Sequence, residues 1–163
     1  MIREARPGDV PAIHAMVRDL AEHHDVTQTE ATDEKLHEAL FGPHPAVFAL
    51  IAEAPGDPAP AGFALWFRSF STWSGNHGVY LEDLFVRPPY RGSGHGKALM
   101  ARLAALCVER GWDHFEWSVH EDNEKAAAIY EALGAVPQPV WTGYRLEGRA
   151  LLDLASSQSV NTP

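Results

Sequence analysis

Between Tyr80 and Leu106 the chain changes its period, and little else in it constrains the fold so tightly. Tyr80-Leu-Glu-Asp-Leu-Phe-Val86 is rich in β-branched and aromatic residues and ends at Pro88-Pro89. Three glycines then alternate at Gly92, Gly94 and Gly96, after which Leu99, Leu103 and Leu106 recur at helical spacing. The reading is strand, glycine turn, helix. Such a junction suits an anion, because glycines let backbone approach a ligand closely and the first N–H groups of a helix have no intrahelical acceptor. Two nucleotide-binding fingerprints fail on it. A Walker loop requires glycine where Arg91 stands and a hydroxyl where Ala98 stands. A Rossmann loop requires glycine at Lys97 and a position near the start of a parallel sheet.

The flanking sequence supplies the other elements. Ile2 to Ala5 reads as a short strand, Pro7-Gly8-Asp9 as a turn with Asp9 as helix cap, and Val10, Ile13, Met16, Val17 and Leu20 as the apolar stripe of a helix. A second helix is predicted from Thr32 to Phe41, stopped by Gly42. Ala46 to Glu53 and Gly62 to Arg68 read as antiparallel strands joined through a Pro/Gly-rich hairpin, and Ser69 to Gly78 as a polar loop carrying Trp73. In the strand from Val79 to Val86, alternation requires the adjacent Glu82 and Asp83 to diverge, leaving at least one partly buried. That carboxylate is either functional or part of an internal ion pair. A helix from Gly96 to Arg110 is closed by Gly111. Phe115 to Val119 alternates as a strand, and residues 121–124 cap a helix from Lys125 to Leu133 with Ala127, Tyr130 and Leu133 on one face. Trp141 to Leu146 is expected as a last strand, Arg149 to Leu154 as a short helix or strand, and residues 156–163 as a polar tail.

With 163 residues, 45% of them hydrophobic, the chain suits one domain, taken as residues 1–155. Its net charge of -9 disfavours nucleic acid or an anionic membrane as partner and favours a cationic substrate. Cys107 reads as a small core hydrophobe. The adjacent His23 and His24 cannot chelate from one element and no other spaced ligand set completes them, so no metal is expected. The N-terminus lacks an apolar targeting region and no later run approaches membrane-spanning length, so a soluble cytoplasmic protein is expected.

Arg91-Gly-Ser-Gly-His-Gly96 matches the Arg/Gln-x-x-Gly-x-Gly/Ala pyrophosphate loop of the GCN5-related N-acetyltransferases, which this chain resembles. Tyr80 to Val86, Tyr90 to Gly96, Asn123-Glu124, and Ile129-Tyr130 with Gly134-Ala135 resemble more narrowly the spermidine/spermine (diamine) acetyltransferases and their thialysine-acetylating relatives, over nearly the whole chain. The resemblance implies an α/β (α+β) fold with a mixed, mostly antiparallel sheet splayed at its centre and flanked by about four helices, with acetyl-CoA in the splay and a homodimer. By position it implies that backbone groups of Leu84, Phe85 and Val86 hold the acetyl and pantetheine portion. Arg91, Gly92, Ser93, Gly94, His95, Gly96 and Lys97 would take the pyrophosphate, and Asn123, Glu124, Lys125 and Ala126 would flank the cofactor.

The implied activity is transfer of acetyl from acetyl-CoA to a small-molecule amine. An amine of pKa about 10.4 must lose a proton, and the departing thiolate gains from receiving one. In the resembled family the glutamate matching Glu82 serves as base through water and the tyrosine matching Tyr130 protonates the sulfur; a thiol near about 8.5 and a phenol near about 10 are roughly matched for that transfer. Glu82, Asp83, Glu116 and Trp73 are the candidate substrate contacts. The chain departs from the diamine enzymes at Ser71-Thr72-Trp73, where an acidic residue precedes Pro-Trp, at His23-His24, and at Tyr144, which stands for a tryptophan. A non-catalytic acyl-CoA-binding module and a protein or peptide N-acetyltransferase are the competing readings.

Overall fold

A computed structural model describes residues 1–24, 26 and 29–157. The chain divides into two compact units, Met1–Ser118 and Val119–Pro163. In the first, five strands form one sheet in the order β1 (Ile2–Glu4), β2 (Phe48–Glu53), β3 (Pro60–Ser71), β4 (Asn76–Val86), β5 (His114–Trp117). The first four pair antiparallel and β5 joins β4 in parallel, giving the mixed, mostly antiparallel sheet that the sequence implies. Helices α1 (Val10–His23), α2 (Asp33–Phe41) and α3 (His95–Arg110) complete the unit.

Each helix end has a local cause. Thr32 caps α2 by accepting the Lys35 N–H at 3.2 Å, and Gly111, at a φ of 66° that disfavours a side chain, closes α3. Asp9 does not cap α1 as the sequence suggested. Its carboxylate is taken by the Arg3 guanidinium at 2.7 and 2.9 Å and by the Arg6 N–H at 2.7 Å, so it ties β1 to the start of the helix instead. Arg3 also reaches Glu53 at 2.5 Å. One sheet face packs Ala49, Ile51, Phe63, Leu65 and Phe85 against Val10, Ile13 and Met16 of α1 and Leu40 of α2. The other half of the core contains Leu99, Leu103, Leu106 and Cys107 of α3, all buried, and burial raises the Cys107 thiol as expected of a small core hydrophobe.

The predicted loop from Ser69 to Gly78 is mostly sheet. β3 and β4 stay paired out to Ser71 and Asn76, leaving a tight turn at residues 72–75 where Gly75 adopts a φ of 66°. Ser69 and Ser71 continue the face of Phe67, although their polarity hides the strand from a reading by hydrophobicity.

The second unit holds α4 (Glu124–Ala132) and α5 (Gly148–Ser156). The strand expected over Trp141 to Leu146 does not form among the described residues, and Trp141 and Tyr144 stand exposed. Aromatic and β-branched content is only half of a strand signal; the other half is a partner ladder, and none is present in this segment. Of the expected polar tail, Ser156 ends α5 and residues 158–163 lie outside the described residues. No helix among the described residues is long and apolar enough to cross a membrane.

Candidate active site

The sheet opens in the middle of β4. Strand β5 pairs only with Gly78 to Leu81 and ends at Trp117, whereas β4 runs on to Val86. From Glu82 to Val86, β4 therefore has β3 on one side and no described strand on the other. The backbone of Leu84, Phe85 and Val86 borders this gap, which is the splay expected from the sequence.

A bulge begins at the same point. Leu65 of β3 lies opposite Asp83 and Trp66 opposite Leu81, so Glu82 is an extra residue with no counterpart. Its effect contradicts the expectation that Glu82 and Asp83 point apart. Alternation from Tyr80, which stacks on Phe67 at 4.9 Å, brings Glu82 to the face of Phe67. The shifted register returns Asp83 to that same face, alongside Leu65 and Phe63. Both carboxylates thus belong to one side of the sheet, Glu82 exposed and Asp83 half-buried. Burial, followed by the neighbouring Glu82 charge, pushes Asp83 up to about 6, with His24 at the end of α1 drawing it partly back.

Beyond Val86 the chain makes a 3-10 turn over Pro88–Tyr90 and enters the glycine stretch. Gly92 and Gly94 adopt φ of 80° and 84°, and no atom lies within 4 Å of where their Cβ would be. The backbone at these two positions faces open space. The first N–H to bond within α3 is that of Ala98, onto Gly94 at 2.9 Å, and Gly94 offers no side-chain cap, so the amides of His95, Gly96 and Lys97 precede the helix ladder. Arg91 is turned back: its Nε donates to the Val86 carbonyl at 2.9 Å and its guanidinium lies over the Phe85 ring. It braces the loop onto β4. Lys97 is exposed.

Glu116 lies opposite Tyr80 in the parallel register, on the face that carries Glu82. Its carboxylate is 3.7 Å from His114 Nε2. The His114 ring crosses Gly78 to meet Ser69 Oγ at 3.0 Å and holds Asp113 at 2.5 Å, a network that no motif in the sequence marks. Trp73 is 90% exposed at the β3–β4 turn. It lies beyond Asn76, itself six residues from Glu82, or roughly 20 Å at strand rise.

Within the second unit Asn123 caps α4, its side chain accepting the Ala126 N–H at 3.1 Å, while Glu124 and Lys125 are exposed in the first turn. Tyr130 is half-buried on that helix, and burial raises its phenol above the ordinary value, so it holds its proton at neutral pH.

A strand that parts from its neighbour and runs into a glycine cradle is the arrangement on which comparison with known proteins bears. Residues 13–135 match the acetyltransferase (GNAT) family. The chain belongs to that family. This GNAT chain is 36% identical to a thialysine N-epsilon-acetyltransferase of Sus scrofa, over 95% of the chain and 96% of the relative. It is 30% identical to L-ornithine N5-acetyltransferase NATA1 of Arabidopsis thaliana, over 92% and 85%. An integron cassette protein from the mobile metagenome of V. cholerae superposes with a TM-score of 0.79 at 24% identity, over 95% of this chain and 96% of that one, a likeness of fold. The GNAT protein is an N-acetyltransferase.

Proposed function

We propose that this N-acetyltransferase moves an acetyl group from acetyl-CoA to the primary amine of a small molecule bearing a second charged group, such as a lysine-like or diamine substrate, by direct transfer in a ternary complex. The observation that carries the reading is the splay: the open edge of β4 leads through one 3-10 turn into the glycine cradle, and two carboxylates share one face of that strand. The open backbone at Gly92 and Gly94, which no side chain obstructs, and the unladdered amides of His95 to Lys97 fit a pyrophosphate. Bound there, acetyl-CoA supplies the activated acyl group and the thiol leaving group.

The residues of the chain have separate tasks. A backbone N–H among Leu84, Phe85 and Val86 polarises the acyl oxygen and stabilises the charge it gains. Glu82, solvent-accessible, draws the amine's proton through water, and Asp83 beside it sets the pH below which the pair loses charge. Tyr130, held protonated, is the acid for the thiolate. The negative net charge attracts the ammonium form of the substrate. Thialysine and ornithine, named for the two relatives, each combine a side-chain amine with an α-amino acid. The family likeness also supports a homodimer, which light scattering tests.

Free-thiol release with acetyl-CoA and a panel of thialysine, L-ornithine, L-lysine, spermidine and propylamine checks the assignment. Turnover should be best with the amino acids and poorest with propylamine. Release of thiol with none of these amines, or only with peptides, would overturn it.

A further inference from the structure

The glycine cradle is steadied from a distant hairpin. Pro55 and Gly56 occupy the centre of a β-turn closed by the Asp57 N–H onto the Ala54 carbonyl at 3.4 Å, and Gly56 has the φ of 79° that a type II turn requires at its third position. This turn, in the connection between β2 and β3, delivers Asp57. One carboxylate oxygen, Oδ1, accepts the Ala59 N–H at 2.8 Å; the other, Oδ2, accepts the hydroxyl of Tyr90. Tyr90 ends the 3-10 turn immediately before Arg91, with its N–H on the Arg87 carbonyl at 2.9 Å, and its ring meets the His95 ring edge-on at 6.2 Å. One side chain thus touches both ends of the segment that contains Gly92 and Gly94.

Glycine-rich backbone loses more conformational freedom on ordering than any other, so a cradle of this kind binds well only if its shape is set in advance. Added side chains at Gly92 and Gly94 would meet nothing within 4 Å, so what sets the shape comes from the flanking residues: Arg91, which bonds the Val86 carbonyl, and Tyr90. We propose that Asp57 is a positioning residue for the acetyl-CoA pyrophosphate, acting through Tyr90 to hold the glycine turn in its binding shape. The same hydrogen bond holds the Asp57 carboxyl below the usual carboxylate range and the Tyr90 phenol above its usual value, so it persists across neutral pH. This inference rests on acetyl-CoA being the donor.

The test compares Asp57→Ala, Tyr90→Phe and the double variant with wild type, using two donors: acetyl-CoA and S-acetyl-pantetheine, which lacks the pyrophosphate. The KM for acetyl-CoA should rise roughly three- to thirtyfold in each single variant, the range expected for a lost charge-assisted hydrogen bond that is partly expressed in binding. The kcat at saturating donor should change less than about twofold and the KM for S-acetyl-pantetheine should not move. The double variant should be no worse than either single one, and Asp57→Asn, which keeps an acceptor, should restore most of the affinity. An unchanged KM for acetyl-CoA in Tyr90→Phe, the variant least able to disturb the fold, would overturn the proposal. So would an equal loss with both donors. Calorimetry of CoA on the wild-type protein separates the two levels: no binding there defeats the choice of donor and with it the role of Asp57, whereas binding that survives Asp57→Ala unchanged defeats only the role of Asp57.

Discussion

Replacing Asp83 by Asn should make the protein more stable, and more so as the pH rises. Asp83 sits where the bulge returns it to the core-facing side of β4, and its carboxyl is raised from 3.8 to about 6, first by desolvation and then by Glu82. The folded protein therefore binds this proton more tightly than the unfolded chain does. The resulting stabilisation is present in full below pH 3.8 and is lost as the pH climbs to about 6, at a rate of about 1.4 kcal/mol per pH unit. Across that interval the loss reaches about 3 kcal/mol, a large share of the 5–15 kcal/mol typical of a domain. Asparagine does not titrate. Urea denaturation of wild type and Asp83→Asn at pH 4, 5, 6 and 7.5 should give curves that diverge between about pH 4 and 6 and run parallel above. A constant difference at all four pH values would show that Asp83 is not desolvated and would remove the reasoning about the bulge.

Glu82→Gln should lower kcat/KM, and most at lower pH, where less of the substrate amine is already deprotonated; a profile of wild-type shape would make Glu82 structural. Tyr130→Phe should reduce kcat on the order of tenfold to a thousandfold and leave CoA affinity nearly intact, and an unchanged kcat would exclude Tyr130 as the acid. Gly94→Val should raise the KM for acetyl-CoA by forcing a β-branched residue to a φ of 84°, and normal cofactor binding would refute the cradle. In Gly78→Ala the new Cβ would lie 2.2 Å from the His114 ring, so thermal denaturation should show a loss of about 1–3 kcal/mol; wild-type stability would mean that the Ser69–His114–Asp113 network moves freely.

The parts of the molecule set by local periodicity were readable in the sequence. The glycine cradle, α2 with Thr32 and Gly42 at its ends, and the parting of the sheet at β4 follow from residue spacing, turn chemistry and family likeness. What escaped the sequence is the register between strands and the side-chain contacts that bring separate segments together. Alternation assumes an unbroken ladder, so it sent Glu82 and Asp83 to opposite faces, and only the register against Leu65 and Trp66 shows the phase slip. Asp57 and Tyr90 are 33 residues apart, and nothing in a Pro/Gly hairpin advertises a bond to a distant turn. Asp9 failed as a cap for α1 because its carboxylate caps the preceding 3-10 turn through the Arg6 N–H and is claimed by Arg3 of β1.

Because Glu82 is supernumerary, β4 is two short strands spliced out of phase, residues 76–81 and residues 83–86. The first half is committed to β5 and the second to the cradle, so the surface offered to an acceptor can drift in sequence without disturbing the half that meets the donor. Deleting the residue at position 82 would restore a regular ladder and leave every other side chain on its present face, because Leu81 would stay opposite Trp66 and Asp83 opposite Leu65. The insertion is therefore a module that can be taken out of the strand without repacking either half.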